Sequence, residues 1–95
     1  SWTELKGMPT ASGSVGAGYA GGRLVAVGGE STTSVSDAVQ AYDIQKQRWS
    51  LLPALPSARH GVAVTALKDS LYAVGGAAIA GHARSTKEAE VLDLG

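Results

Sequence analysis

Gly16-Ala17-Gly18-Tyr19-Ala20-Gly21 spells G-x-G-x-x-G, the spacing with which a glycine-rich loop cradles a dinucleotide pyrophosphate. That chemistry needs a strand before the loop and a helix after it, because the phosphate is gripped by backbone N–H groups at the helix N-terminus. Here the string follows a Pro/Ser/Gly stretch and precedes Arg23-Leu24-Val25-Ala26-Val27, which reads as a strand. The expected role is a small-residue strand and its turn, and no cofactor is implied. The two imidazoles, His60 and His82, offer metal or acid–base chemistry. His60 lies in a polar turn and His82 in a longer loop with Arg84. Neither has partners at metal-ligand spacing, and with no cysteine no thiolate zinc site is available, so no metal is expected. Asp43 and Asp93 resemble general bases. Each follows a strand pattern, however, where an aspartate bonds nearby backbone N–H groups and caps a turn. No nucleophile elbow and no Ser/His/Asp set placed by a motif is present, so a non-enzymatic reading is preferred.

The elements that must position these groups come from a repeat. Trp2, Pro9, Leu24, Val27, Gly28 and Gly29 recur 47 residues later as Trp49, Pro56, Leu71, Val74, Gly75 and Gly76. A fixed period of this size is the mark of a repeat architecture whose units cannot bury their faces alone. In the second copy, Gly61–Leu67 is β-branched, apolar and short, and reads as a strand. Lys68-Asp69-Ser70 is a turn, and Leu71–Val74 is a second strand stopped by Gly75-Gly76. A loop runs to about Glu88, and Ala89–Leu92 is a third strand ending at Asp93. In the first copy the third strand is Val39–Tyr42, and Trp49–Leu52 is a fourth after the turn at Asp43–Arg48. Four short antiparallel strands per unit make an all-β chain of small twisted sheets, the form of propeller blades. The small residues Val15-Gly16-Ala17-Gly18 suit an innermost strand, where blades crowd.

Arg59-His60-Gly61, Leu71-Tyr72-Ala73-Val74-Gly75-Gly76, Tyr42-Asp43 and Trp49 together resemble the Kelch family of β-propellers. The first copy departs from the pattern: Ser12 stands where the second has Arg59, and Val25 where it has Tyr72. The second has Leu92 where the first has Tyr42, and a longer loop before its third strand. The resemblance implies a protein- or peptide-binding propeller, with Arg59 at the ring mouth gripping an acidic peptide. Ser12 would add a hydrogen bond there, and Glu30, Ser31 and His60 would flank the same face. It also implies structural roles for Trp2, Trp49, Tyr42, Asp43, Asp93 and the pairs Gly28-Gly29 and Gly75-Gly76. The other class it admits is a fragment of a Kelch-type enzyme, a sugar epimerase or oxidoreductase. The copper oxidases of that class use a Tyr cross-linked to Cys, and this chain has no Cys.

The 95 residues suffice for one small domain. Eight basic and eight acidic residues cancel, which gives no electrostatic grip on nucleic acid or on an anionic membrane. No apolar run approaches the roughly 20 residues of a membrane helix, no stretch reads as a signal peptide, and the composition leaves the compartment open. In units, residues 1–5 read as the outer strand of a blade completed in trans. Residues 6–52 read as a first blade, and 53–95 as a second blade lacking its outer strand. Two blades leave apolar faces uncovered, which calls for a homo-oligomer or for the remainder of a longer propeller. Propellers have roughly four to eight blades, and among rings of identical two-blade chains a six-bladed homotrimer is favoured. A terminal strand exchanged between copies would fasten it.

Overall fold

Alternation of small and β-branched residues with turn residues produces seven five-residue strands among the described residues. The computed structural model describes residues 1–79 and 85–94. Its strands are β1 (Gly16–Ala20), β2 (Arg23–Val27), β3 (Val39–Asp43), β4 (Arg48–Leu52), β5 (Ala63–Leu67), β6 (Ser70–Val74) and β7 (Ala89–Asp93). They form a four-stranded sheet ordered β1-β2-β3-β4 and a three-stranded sheet ordered β5-β6-β7, with antiparallel neighbours throughout. No described residue is helical, so none lies in a helix long and apolar enough to cross a membrane.

Apart from residues 1–5, the strand assignments from sequence agree with the structure to within two residues. The largest shift is at Gly61 and Val62, which precede β5 rather than belong to it. Gly61 has a φ of 64°, outside the extended region a strand requires. Residues 2–5 adopt no strand within this chain, and Trp2 is fully exposed. His82 and Arg84 lie outside the described residues.

The two sheets stack through a core of Val25, Val27, Val39 and Ala41 from the first and Leu71 and Ala73 from the second, with Leu55 and Val62 from the connecting segment. The close approach depends on the glycines of β1. A Cβ on Gly16 would lie 2.5 Å from the Val62 carbonyl oxygen and from Val64 Cγ2, and one on Gly18 would lie 3.1 Å from Val64 Cγ1. The G-x-G-x-x-G string therefore serves packing. Gly16 and Gly18 admit the neighbouring sheet, and Gly21 turns the chain into β2 with a φ of 60°.

Each sheet has a second face that this chain covers only in part. On the first sheet it carries Ala17, Tyr19, Leu24 and Leu51; on the second, Leu67, Tyr72, Val74 and Val91. The repeat relates these faces to the buried ones. Ala17, Leu24 and Ala26 correspond to Val64, Leu71 and Ala73, which pack against the first sheet. Tyr72 and Val74 correspond to the buried Val25 and Val27.

Candidate functional site

Backbone hydrogen bonds tie the two sheets together at the end where the glycine pairs lie. The connecting segment 53–62 runs along the loop between β2 and β3. Leu55 N–H donates to Asp37 O (2.8 Å), Arg59 N–H to Ser36 O (3.1 Å), Gly29 N–H to Arg59 O (2.9 Å) and Gly61 N–H to Ser14 O (2.7 Å). Gly28 fits only as glycine: its φ is 67°, and a Cβ would overlap the Arg59 carbonyl. Two small bridges repeat with the period: Gly13 pairs with Glu30, and His60 with Ala77.

Arg59 therefore has its backbone on the first sheet's loop and its side chain on the second sheet. Nη1 donates to the carbonyl oxygens of Gly75 (2.8 Å) and Glu88 (3.1 Å), and Nη2 donates to the Glu90 carboxylate, forming an ion pair. The Arg59 side chain is 0 % exposed and that of Glu90 23 %. In this structure the guanidinium is not open to a ligand, because it is buried and its Nη1 and Nη2 groups engage Glu90 and two strand-end carbonyls. His60 is equally buried. Its Nε2 donates to Ile79 O at 2.8 Å, and Nδ1 lies 3.2 Å from Glu30 Oε2, so its ring joins the loops that follow the two glycine pairs.

The remaining candidates face outward. Ser12 and Ser31, with Thr10, Ser34, Ser36 and Asp37, line a polar groove of about 380 Å³ beside the segment that carries Arg59. Ser31 is exposed and organises its own turn: its hydroxyl accepts from Ser34 N–H at 3.2 Å. The five candidates thus gather at one end of the molecule. Ser12 and Ser31 line the groove, the buried Arg59 bonds the groove residue Ser36 through its backbone N–H, and Glu30 faces the buried His60.

The structural residues sort in the same way. Trp49 packs across β3–β4 on Tyr42, with ring centroids 5.1 Å apart and a 54° tilt, and its indole Nε1 donates to Lys6 O at 2.7 Å. Asp43 Oδ1 accepts from Lys46 N–H at 2.9 Å and caps the β3–β4 turn. Asp93 ends β7 opposite Ser70. Among the described residues no cluster of His, Asp and Glu is arranged to hold a metal ion.

One functional pair escaped the sequence reading. In the first unit the Gln40 carboxamide clamps the entry loop, accepting from Thr10 N–H (2.8 Å) and donating to Thr10 O (3.1 Å). Gln40 and Glu90 hold matching positions in the third strands, as Ser12 and Arg59 do in the entry loops. The two units thus differ by a paired change, charged in one and neutral in the other, and the sequence displays both halves of it.

The Kelch motif model matches residues 12–56, from the first unit's entry loop to the start of the second. Kelch-like protein 34 of Homo sapiens is 34 % identical over 96 residues, covering 99 % of this chain and 15 % of that protein. Kelch-like protein 40 of Mus musculus is 32 % identical over 75 residues, covering 79 % of this chain and 12 % of that protein. The chain spans roughly an eighth of the length of the curated relatives it matches. With two antiparallel sheets in repeat, glycine pairs that end the second strands and a Trp–Tyr pair across the outer strands, the chain belongs to the Kelch-repeat family.

Proposed function

We propose that the chain is a protein-binding β-propeller module that assembles by blade stacking and terminal-strand exchange. Residues 6–52 form one blade, 53–95 form a second that lacks its outer strand, and 1–5 supply an outer strand in trans. Three copies would make the favoured six-bladed ring, since Kelch propellers most often have six or seven blades and identical two-blade chains reach only even numbers. One observation carries this reading: both exposed sheet faces use repeat positions that are buried where the two sheets meet. A second copy docked head to tail would bury Leu24 and Tyr19 against Tyr72 and Val74, repeating the contact already present inside the chain. Contacts of this kind close into a ring when the rotation per copy allows it.

The partner-facing end is the one with the polar groove. Ser12 and Ser31 would meet a peptide there, with Glu30, Arg59 and His60 holding the neighbouring loops.

Thermal unfolding of the wild-type chain at several protein concentrations tests the assembly, because a partner that binds only the folded state makes the midpoint concentration-dependent. The midpoint is expected to rise with concentration, and Leu24→Lys is expected to remove the dependence. A midpoint independent of concentration would contradict self-assembly and leave the faces to other blades of a longer chain.

A further inference from the structure

A largely apolar cavity lies between the sheets. It measures about 170 Å³ and lies under the connecting segment, lined by Pro53, Leu55, Val64, Leu71, Ala73 and Leu92. A dry apolar cavity of roughly 150 Å³ accepts an aromatic ring.

The surroundings of Trp49 have counterparts around this cavity. Trp49 bonds Lys6 O, packs on Tyr42, and borders a surface pocket with Ala17, Leu24 and Ala26. The repeat carries Lys6 to Pro53, Tyr42 to Leu92, Ala17 to Val64, Leu24 to Leu71 and Ala26 to Ala73. All five of these counterparts line the cavity. The counterpart of Trp49 itself is Trp2, which is 101 % exposed and far from filling that role within its own chain.

The path of the N-terminal segment shows whose cavity Trp2 can reach. Lys6 is held by Trp49, whose indole packs on the exposed face of the first sheet, so residues 2–5 emerge on that side. The second sheet of a neighbouring copy would stack on that same face. Its β7 forms the edge of a three-stranded sheet and carries no further strand among the described residues.

Resting on the assembly reading above, we propose that the Trp2 indole of one copy fills this cavity in the next. The segment Trp2–Leu5 adds as an antiparallel strand to the outer edge of β7, in the manner of β-augmentation. The β3–β4 pairing (Tyr42↔Trp49, Ala41↔Ser50, Gln40↔Leu51, Val39↔Leu52) sets the register. It becomes Leu92↔Trp2, Val91↔Thr3, Glu90↔Glu4 and Ala89↔Leu5. The Trp2 Nε1–H then donates to the Pro53 carbonyl, as that of Trp49 does to Lys6. The ligand chemistry of the site is an extended segment with Trp at one end and Leu three residues on.

The chain has no cysteine, so single-cysteine variants report this register cleanly. A Thr3→Cys chain mixed with a Val91→Cys chain under mild oxidation is expected to give a disulfide-linked dimer. Thr3→Cys mixed with Ala89→Cys, two residues out of register, is expected to remain at background. Adding Trp2→Ala to the Thr3→Cys chain should weaken association about thirtyfold or more, the loss that marks an aromatic hot spot. Equal cross-linking by the offset pair, or no effect of Trp2→Ala, would overturn the proposal even if the chain associates. If sedimentation finds the wild-type chain monomeric at every concentration, the assembly reading fails separately. A synthetic peptide of residues 1–8 titrated onto that monomer then decides the cavity. Saturable binding lost in the peptide's Trp2→Ala form upholds it, and no binding overturns it.

Discussion

Arg59 and Glu90 form an ion pair across 31 residues of sequence, with the Arg59 side chain wholly buried. The pair fastens the segment between the blades to the third strand of the second blade, and the Arg59 backbone fastens the same segment to the first blade through Ser36 and Gly29. Removing one partner of a buried pair leaves the other uncompensated, which typically costs about 3–5 kcal/mol. Arg59→Ser is therefore expected to lower the unfolding free energy by an amount of that order, read by chemical denaturation. The double variant Arg59→Ser/Glu90→Gln recreates the neutral combination of Ser12 and Gln40, and should recover part of the loss. Additive losses in the double variant would show that the two residues are not coupled.

Gly28 lies against the Arg59 carbonyl in a left-handed conformation. Gly28→Ala adds the backbone penalty of about 1–2 kcal/mol for a non-glycine residue there, together with a clash against backbone that cannot swing aside. The melting temperature is expected to fall by at least several degrees, since about 1 kcal/mol shifts a domain of this size by roughly 4–8 °C. An unchanged melting temperature would mean that the contact between the Gly28 loop and Arg59 is dispensable.

Trp49 joins β4 to both β3 and the N-terminal segment. Trp49→Ala removes an aromatic pair worth about 0.5–1.5 kcal/mol and a hydrogen bond worth about as much. The expected loss is roughly 1–3 kcal/mol in the isolated chain, and more in an assembly where a neighbouring blade covers the indole. Trp49→Phe keeps the ring pair and loses only the bond to Lys6, so it should lie between wild type and Trp49→Ala. Equal losses in the two variants would exclude a contribution from the ring pair.

The exposed faces make a prediction that leaves each blade's own pairing intact. Leu24→Lys on the first sheet and Val91→Lys on the second each place a charge on an exposed face. Both should leave the circular dichroism spectrum unchanged while weakening association. A variant that associates as well as wild type would remove its face from the interface.

The strands were legible in the sequence because local features define them. Turn residues at Lys68-Asp69-Ser70 and Gly75-Gly76 bracket Leu71–Val74, and Gly16 and Gly18 advertise a crowded strand. The turn-capping role of Asp43 also followed from local chemistry. The fate of Arg59 did not. Position and residue type suited a ligand-facing cation, but its exposure depended on Glu90, which only the β6–β7 pairing brings within reach. His60 was ambiguous for the same reason, since its partners Glu30 and Ile79 sit in loops of two different units. The companion clue, Gln40 matching Glu90 as Ser12 matches Arg59, becomes meaningful once the strands are aligned in space.

In the proposed assembly the two exposed faces bury each other between copies. Native mass spectrometry of the wild-type chain over a range of concentrations tests it most directly. The predicted result is a species of three chains that gains population as concentration rises and is lost in Leu24→Lys. A monomer at every concentration would contradict it.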